Sequence, residues 1–335
     1  MLHDGSIMTK ALLIRMDRIG DLVLTLPTDQ ALAQAEVEWW IPKGLSFVTD
    51  SASPKRSARE VGKEIGFQDF CKLVRDIRAQ RYTLAVVFQA PWWVGLALFL
   101  ARVPTRIGVR SKLPSFLFFN RGIRQKRSRS DRSELEYNFN LVEEGLRKPL
   151  GSLPRSTLQL AAPFPLEVLT RVLPPNAEAL ASNNYYVIHP GMGGSALNWP
   201  TEKYGELARE LSKLRPVVVT GTKADEAYLA PLKSLLNSAP NIFWLDGKLS
   251  GRELIGLLAN ASAVVAPSTG VLHLAASTGQ PTVGLFSMIK VQRALRWGPK
   301  GPRTAVAEAP DESETAMSKI TVESVLEKIR LLSRS

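Results

Sequence analysis

Short, mostly apolar runs recur along the chain, each followed by a stretch of helical period. They fall at residues 11–14, 37–41, 84–88, 185–188, 217–219, 242–245, 263–266 and 282–286. A run this short and this apolar is the pattern of a strand buried on both faces of a parallel sheet. Helical spacing is read between the runs, at 22–33 with Pro27 as an internal irregularity, near 58–65, and at 70–79, 92–102, 134–146, 201–214, 251–259 and 322–332. Thr201 is read as the cap of the helix that it precedes, with Glu202 early in it. Strand alternating with helix in both halves implies α/β architecture with two doubly wound sheets. At 335 residues the chain is long for one core. Pro154, Pro163, Pro165, Pro174 and Pro175 interrupt the pattern, and a boundary near 174–182 divides it into domains 1–175 and 176–335.

The most informative turn joins the run at 263–266 to the helix behind it, reading Ala266-Pro267-Ser268-Thr269-Gly270-Val271-Leu272-His273. Hydroxyls, a glycine and the free N–H groups of a helix start make a seat for a phosphate or diphosphate. Ligands of open α/β sheets sit at such carboxyl edges. A second turn, Gly191-Met192-Gly193-Gly194-Ser195, follows the strand ending in His189-Pro190. It either presents N–H groups to an anion or is simply a flexible turn.

Charge narrows the partners. Forty-three Lys and Arg against 31 Asp and Glu leave a net charge of +12, which suits nucleic acid, an anionic membrane surface or a phosphorylated substrate. Much of it crowds into Arg102, Arg106, Arg110, Lys112, Arg121, Arg124, Lys126, Arg127, Arg129 and Arg132, interleaved with aromatic residues from Trp92 to Phe119. A solvated basic loop beside a core helix is the plainer reading. No nucleic-acid-binding motif accompanies the stretch, so no nucleic-acid partner is expected.

The single Cys71 excludes an intramolecular disulfide, and three histidines without ligand spacing leave no expected metal site. Neither G-x-G-x-x-G nor the Gly-Lys-Ser/Thr ending of a P-loop is present. Residues 1–9 lack the apolar core of a signal peptide, and Met8 is an alternative start. The most apolar stretch, 84–101, is broken by Gln89 and Pro91, so it reads as strand, turn and helix, not a span. A cytoplasmic protein is expected, at most peripheral on the inner membrane.

Four motifs in order resemble glycosyltransferase family 9, the heptosyltransferase family. They are Arg15-Met16-Asp17-Arg18-Ile19-Gly20-Asp21 and the residues on to Pro27, Arg106-Ile107-Gly108, His189-Pro190-Gly191 through Asn198-Trp199-Pro200, and Pro267 to Ala276. The resemblance spans nearly the whole chain. It implies a GT-B fold, two Rossmann-like domains facing a central cleft, the acceptor held mainly by the first and the sugar nucleotide by the second. The implied reaction is inverting and metal-independent: a sugar, typically heptose from an ADP-linked donor, passes to the lipopolysaccharide core or a related anionic glycolipid. The sugar nucleotide is substrate, and no cofactor is implied.

On that resemblance Asp21 is the general base, since inversion needs a carboxylate to take the acceptor hydroxyl's proton; otherwise it caps a helix starting at Leu22. Arg18, Arg102, Arg106, Arg110 and Arg124 are the acceptor-binding candidates. Gly191, Gly193, Gly194, Ser195, Ser268, Thr269, Gly270 and His273 are expected around the donor diphosphate, Asp225 at the ribose and Leu249 against the base. Relatives often carry Asp where Ser268 stands, and Lys or Arg where Leu197 stands. Both departures are on the donor side. They motivate two alternatives: a relative that only binds its sugar nucleotide or glycolipid, and a transferase for another sugar nucleotide.

Overall fold

The computed structural model describes residues 9–111, 113–149, 151, 156–172, 180, 184–191, 193–194, 196–237, 239 and 241–334. Ser195 and most of the expected boundary region lie outside them. The chain divides into two compact units. The first takes the described residues of Met1–Asp50, Pro54–Arg127 and Glu134–Ser156, the second those of Ser51–Ser53, Ser128–Ser133 and Thr157–Ser335.

The first unit carries β1 (Lys10–Arg15), β2 (Glu36–Pro42), β3 (Ala58–Val61), β4 (Leu84–Gln89) and β5 (Thr105–Gly108), in the order β3-β2-β1-β4-β5. Every pairing is parallel. Its helices are α1 (Ile19–Val23), α2 (Ser46–Asp50), α3 (Phe67–Gln80), α4 (Trp92–Leu100), α5 (Leu113–Phe118) and α6 (Glu134–Leu146). The apolar runs are fully buried: Leu12, Ile14, Trp40, Ala85 and Val87 pack with Val94, Ala97 and Leu98 of α4.

The second unit carries β6 (Tyr186–Ile188), β7 (Val217–Val219), β8 (Ile242–Trp244), β9 (Ala263–Pro267), β10 (Thr282–Phe286) and β11 (Thr304–Glu308). Their order is β11-β10-β9-β6-β7-β8, again wholly parallel. Its helices are α7 (Leu166–Val172), α8 (Thr201–Ser212), α9 (Glu226–Leu235), α10 (Gly251–Ala259), α11 (Gly270–Ser277), α12 (Ala294–Trp297) and α13 (Val322–Arg334). Alternating strand and helix thus builds two doubly wound parallel sheets. Among the described residues no helix is long and apolar enough to cross a membrane.

Three local expectations fail for identifiable reasons. Residues 58–61 form the edge strand β3, registered on Trp39 to Pro42, not a helix. An edge strand has one partner and tolerates charges such as Arg59 and Glu60, so it shows no apolar run. The helix expected at 22–33 splits into α1 and a 3-10 segment, Leu26–Leu32, with Pro27 in its first turn. A proline there cannot donate to the carbonyl four residues back, so the α-helix ends ahead of it. Thr201 does not cap α8: Pro200 is the cap residue, and Thr201 is the first helical one.

Candidate active site

The turn after β1 holds a dense charged cluster. Arg15, the last residue of β1, is only 2% exposed. Its guanidinium grips Asp17 through Nε and Nη2, both at 2.7 Å, and Nη2 also donates to Oδ1 of Asp21. Nη1 turns the other way, to Glu134 Oε1 at 3.2 Å and Asn138 Oδ1 at 3.4 Å. Five donors therefore meet five acceptors, the full capacity of an arginine. Burial and its own favourable contacts oppose each other: desolvation lowers the Arg15 pKa, but Asp17, Asp21 and Glu134 outweigh it and the net shift is upward.

Asp21 lies in the first turn of α1, whose cap residue is Arg18, so the alternative that Asp21 caps a helix starting at Leu22 does not describe it. Burial pushes its pKa up to about 6, against the pull of Arg15 and with the help of Asp17 and Glu134. Among the described residues its Oδ2 makes no hydrogen bond, which leaves that oxygen able to take a proton. Thr25 Oγ1 donates to the Asp21 carbonyl at 2.6 Å, and Asn138 Nδ2 donates to Thr25 Oγ1 at 2.9 Å, so α6 braces the end of α1.

A cavity of about 470 Å³ opens beside this turn, lined by Phe88, Gln89, Trp92, Val109, Ser111 and Ser115 among others. Gln89 is the register partner of Arg15, and its carbonyl accepts from Met16 N at 2.8 Å. The cavity therefore borders the carboxyl end of β4, the strand paired with β1.

The basic stretch is more structured than its charge suggests. Arg110 and Arg124 both lie over the Phe116 ring, at 4.8 and 5.2 Å. Arg106 lies over Phe99 at 5.4 Å and donates from Nε to the Phe118 carbonyl at 2.7 Å. The interleaved aromatics are thus stacking partners of the arginines. Arg102 is exposed in the left-handed region at the end of α4, and Arg18 is exposed at the start of α1.

In the second unit, Thr269 caps α11, its Oγ1 accepting from Leu272 N at 3.5 Å. Ser268 and Gly270 are half-buried beside it. His273, in the first turns of α11, is 4% exposed, and its Nδ1 has no hydrogen-bond partner. Burial, with a smaller contribution from Lys300, holds its pKa down near 4. A neutral, buried imidazole near the start of a helix is suited to donating one N–H to an anion.

The glycine turn after β6 packs onto the start of the next crossover. A Cβ on Gly191 would lie 2.2 Å from Asp225 Cγ, so only glycine fits. Asp225 is 4% exposed and accepts from Thr222 N and Oγ1 at 2.8 and 2.7 Å. Gly193 and Gly194 are exposed with φ of +54° and +69°, both left-handed, where glycine carries no steric penalty. His189 Nδ1 lies 3.0 Å from Thr220 Oγ1, and burial holds its pKa near 4 despite the opposing charge of Asp225. Asn198 and Trp199 serve as scaffold: Asn198 Nδ2 donates to the Pro190 carbonyl at 2.7 Å, and the Trp199 ring donates to the Ile320 carbonyl at 3.0 Å. Leu249 is half-buried in the loop between β8 and α10.

Glu134 and Asn138 went unnoticed in the sequence, and Arg127 was read only as one of the basic stretch. Arg127 bonds Glu134 through Nη1 and Asn138 through Nη2 at 3.3 Å. The available signal was a charge and an amide, four residues apart, at buried positions of a helix whose other buried residues are mostly apolar. Among the described residues no group of three or more His, Cys, Asp or Glu forms a metal-binding cluster.

The model of glycosyltransferase family 9 (heptosyltransferase) matches residues 70–324. A candidate glycosyltransferase of Haemophilus influenzae is 26% identical over 347 residues, covering 98% of each chain. The structure of the E. coli ADP-heptose lipopolysaccharide heptosyltransferase II superposes with a TM-score of 0.77 at 20% identity, over 97% of this chain and 99% of that one. An E. coli heptosyltransferase solved with ADP gives 0.70 at 19% identity, over 97% and 100%.

Proposed function

The chain belongs to glycosyltransferase family 9, has the GT-B fold and is a glycosyltransferase; we propose that it transfers heptose from ADP-heptose, by inversion, to a hydroxyl of an anionic glycolipid of the lipopolysaccharide core. The observation that carries this reading is Asp21: a carboxylate at the carboxyl edge of β1, anchored by Arg15 through one oxygen, with the other oxygen free and a pKa near neutrality. A base so placed is largely ionised at pH 7 yet basic enough to accept a proton as the hydroxyl attacks.

The acceptor's sugar seats in the cavity beside Gln89 and Trp92, with its phosphates toward Arg18, Arg102, Arg110 and Arg124. Arg106, which donates to main-chain carbonyls, positions this surface. The donor diphosphate lies on the start of α11, against Thr269, Gly270 and the neutral His273, with Gly191, Gly193 and Gly194 alongside. Ser268 faces the donor sugar, Asp225 and Leu249 the nucleoside. The diphosphate leaves with its charge met by helix N–H groups and side chains, with no metal ion taking part. Such an enzyme works at the cytoplasmic face of the inner membrane, where this acceptor is presented.

Leu197 and Ser268 favour one second reading, in which the chemistry is the same and the sugar nucleotide differs. Purified protein incubated with heptose-deficient lipopolysaccharide and, separately, ADP-heptose, UDP-sugars and GDP-sugars distinguishes them by which nucleoside diphosphate is released. Release from none of them contradicts both readings.

A further inference from the structure

Between Ile77 and Ser130 the chain holds eleven Lys and Arg and no Asp or Glu. Within that stretch every residue of α4, from Trp92 to Leu100, is apolar, Gly95 included. Its inner face, Trp93, Val94, Ala97 and Leu98, packs in the core of the first unit. Its outer face is Trp92, Leu96, Phe99 and Leu100, spaced as one side of a helix. Surface helices carry polar residues on that side. Here Trp92 is 67% exposed, Phe99 47% and Leu100 42%. α5 extends the patch: the Phe118 ring lies 6.3 Å from that of Phe99, and Leu117, next to Phe118 in the chain, is 66% exposed.

Cations border this patch in defined positions. A hollow of about 570 Å³ is lined by Phe99 and Leu100 together with Arg78, Arg102 and Arg106, and none of its described lining residues is acidic. Arg78 donates from Nη2 to the Leu100 carbonyl at 2.8 Å. Arg106 lies over the Phe99 ring and donates to the Val103 and Phe118 carbonyls. The Arg102 side chain is exposed and makes no hydrogen bond or ion pair among the described residues. An occupant of this surface must therefore offer apolar matter to α4 and negative charge to the hollow beside it. An anionic bilayer offers both. A second copy of the chain would instead bring two acid-free basic surfaces together, against their like charge.

We propose that the outer face of α4, extended by Leu117, is the surface by which this protein docks on an anionic bilayer. Phe99, Leu100 and Leu117 enter the boundary between headgroups and acyl chains, with Trp92 at the headgroup level. A lipid phosphate fills the hollow between Arg78, Arg102 and Arg106. The nine residues of α4 make a helix about 14 Å long. That is too short to cross a hydrocarbon core of about 30 Å, so the helix lies along the interface. Trp92 and Phe118 also line the cavity beside Gln89, so the docked face borders the place given above to the acceptor's sugar. The inference deepens the glycolipid reading and rests on it; it adds which side of the first unit meets the membrane.

Co-sedimentation of the full chain with vesicles of mixed phosphatidylethanolamine and phosphatidylglycerol, and with vesicles of phosphatidylcholine alone, tests it. The parent should bind the anionic vesicles at least about tenfold more tightly. Leu100→Asp combined with Leu117→Asp should weaken that binding about tenfold or more. Arg78→Gln should weaken it about fivefold and leave binding to phosphatidylcholine within about twofold. Both variants should keep the parent's rate on heptose-deficient lipopolysaccharide freed of its acyl chains, which shows them folded. No preference of the parent for anionic vesicles, or equal binding by the parent and the Leu100/Leu117 variant, would overturn the proposal while leaving the transferase reading intact. A parent that binds no vesicles but dimerises in solution, and becomes monomeric in that variant, would overturn it in favour of a second copy. Failure of the parent to transfer sugar to any acceptor would overturn the transferase reading, and is told apart because the vesicle assay uses no substrate.

Discussion

Arg15 reaches across six residues of chain to donate to the Asp21 carboxylate, and the same guanidinium is anchored on Asp17 and on Glu134. The last residue of a central strand thereby fixes the position of a side chain on the following helix, and burial raises that side chain's proton affinity against the pull of the same arginine. Three carboxylates share one buried arginine, with Arg127 as a second cation on Glu134. The arrangement keeps one carboxylate oxygen unengaged in a place that favours its protonation.

The pH dependence of turnover follows from this. Asp21 acts as a base only when ionised, so kcat/KM should climb with pH along a limb centred near its pKa of about 6. Glu134 raises that pKa by its charge, so Glu134→Gln should move the limb to lower pH. A limb that stays in place would remove Glu134 from the account.

The same carboxylate costs stability. Its folded pKa of about 6 lies above the ordinary aspartate value of 3.8, so the folded state holds the proton more tightly and stability falls as pH rises between those values. Asp21→Asn should therefore stabilise the protein by about 2 kcal/mol at pH 8 and by little at pH 4. Urea denaturation of both proteins at the two pH values measures it.

His189 and His273 act in the opposite sense. Both are buried and neutral, with pKa values near 4. The unfolded chain takes up their protons first, so stability is complete above pH 6.5 and is lost as pH falls toward 4. Replacing His273 by Gln should flatten the acid side of the stability profile, readable by thermal melts between pH 4 and 7.

Gly191 is a spatial requirement. A methyl group there would lie 2.2 Å from Asp225 Cγ, and Asp225 is fixed by Thr222. Gly191→Ala should cost about 2 kcal/mol or more and should weaken nucleotide binding, whereas Gly193→Ala, with open space around it, should be limited to the cost of its left-handed φ.

The central strands were legible in the sequence because burial on both faces leaves an unbroken apolar run, as in Leu12 to Ile14 or Val217 to Val219. Two edge strands, β3 and β11, were not: β3 exposes Arg59 and Glu60, and β11 is half-buried along most of its length, whereas the edge strand β8 kept its apolar run. Asp21 and His273 stood out within motifs. Glu134 did not, because its bond to Arg15 spans 119 residues and exists only once α6 packs beside the end of β1.

The most direct test is Asp21→Asn, measured for ADP binding by calorimetry and for sugar transfer to heptose-deficient lipopolysaccharide. The account predicts that ADP affinity stays within about twofold of the parent while transfer falls at least about a hundredfold. Transfer within about tenfold of the parent would contradict the role of Asp21 as the base.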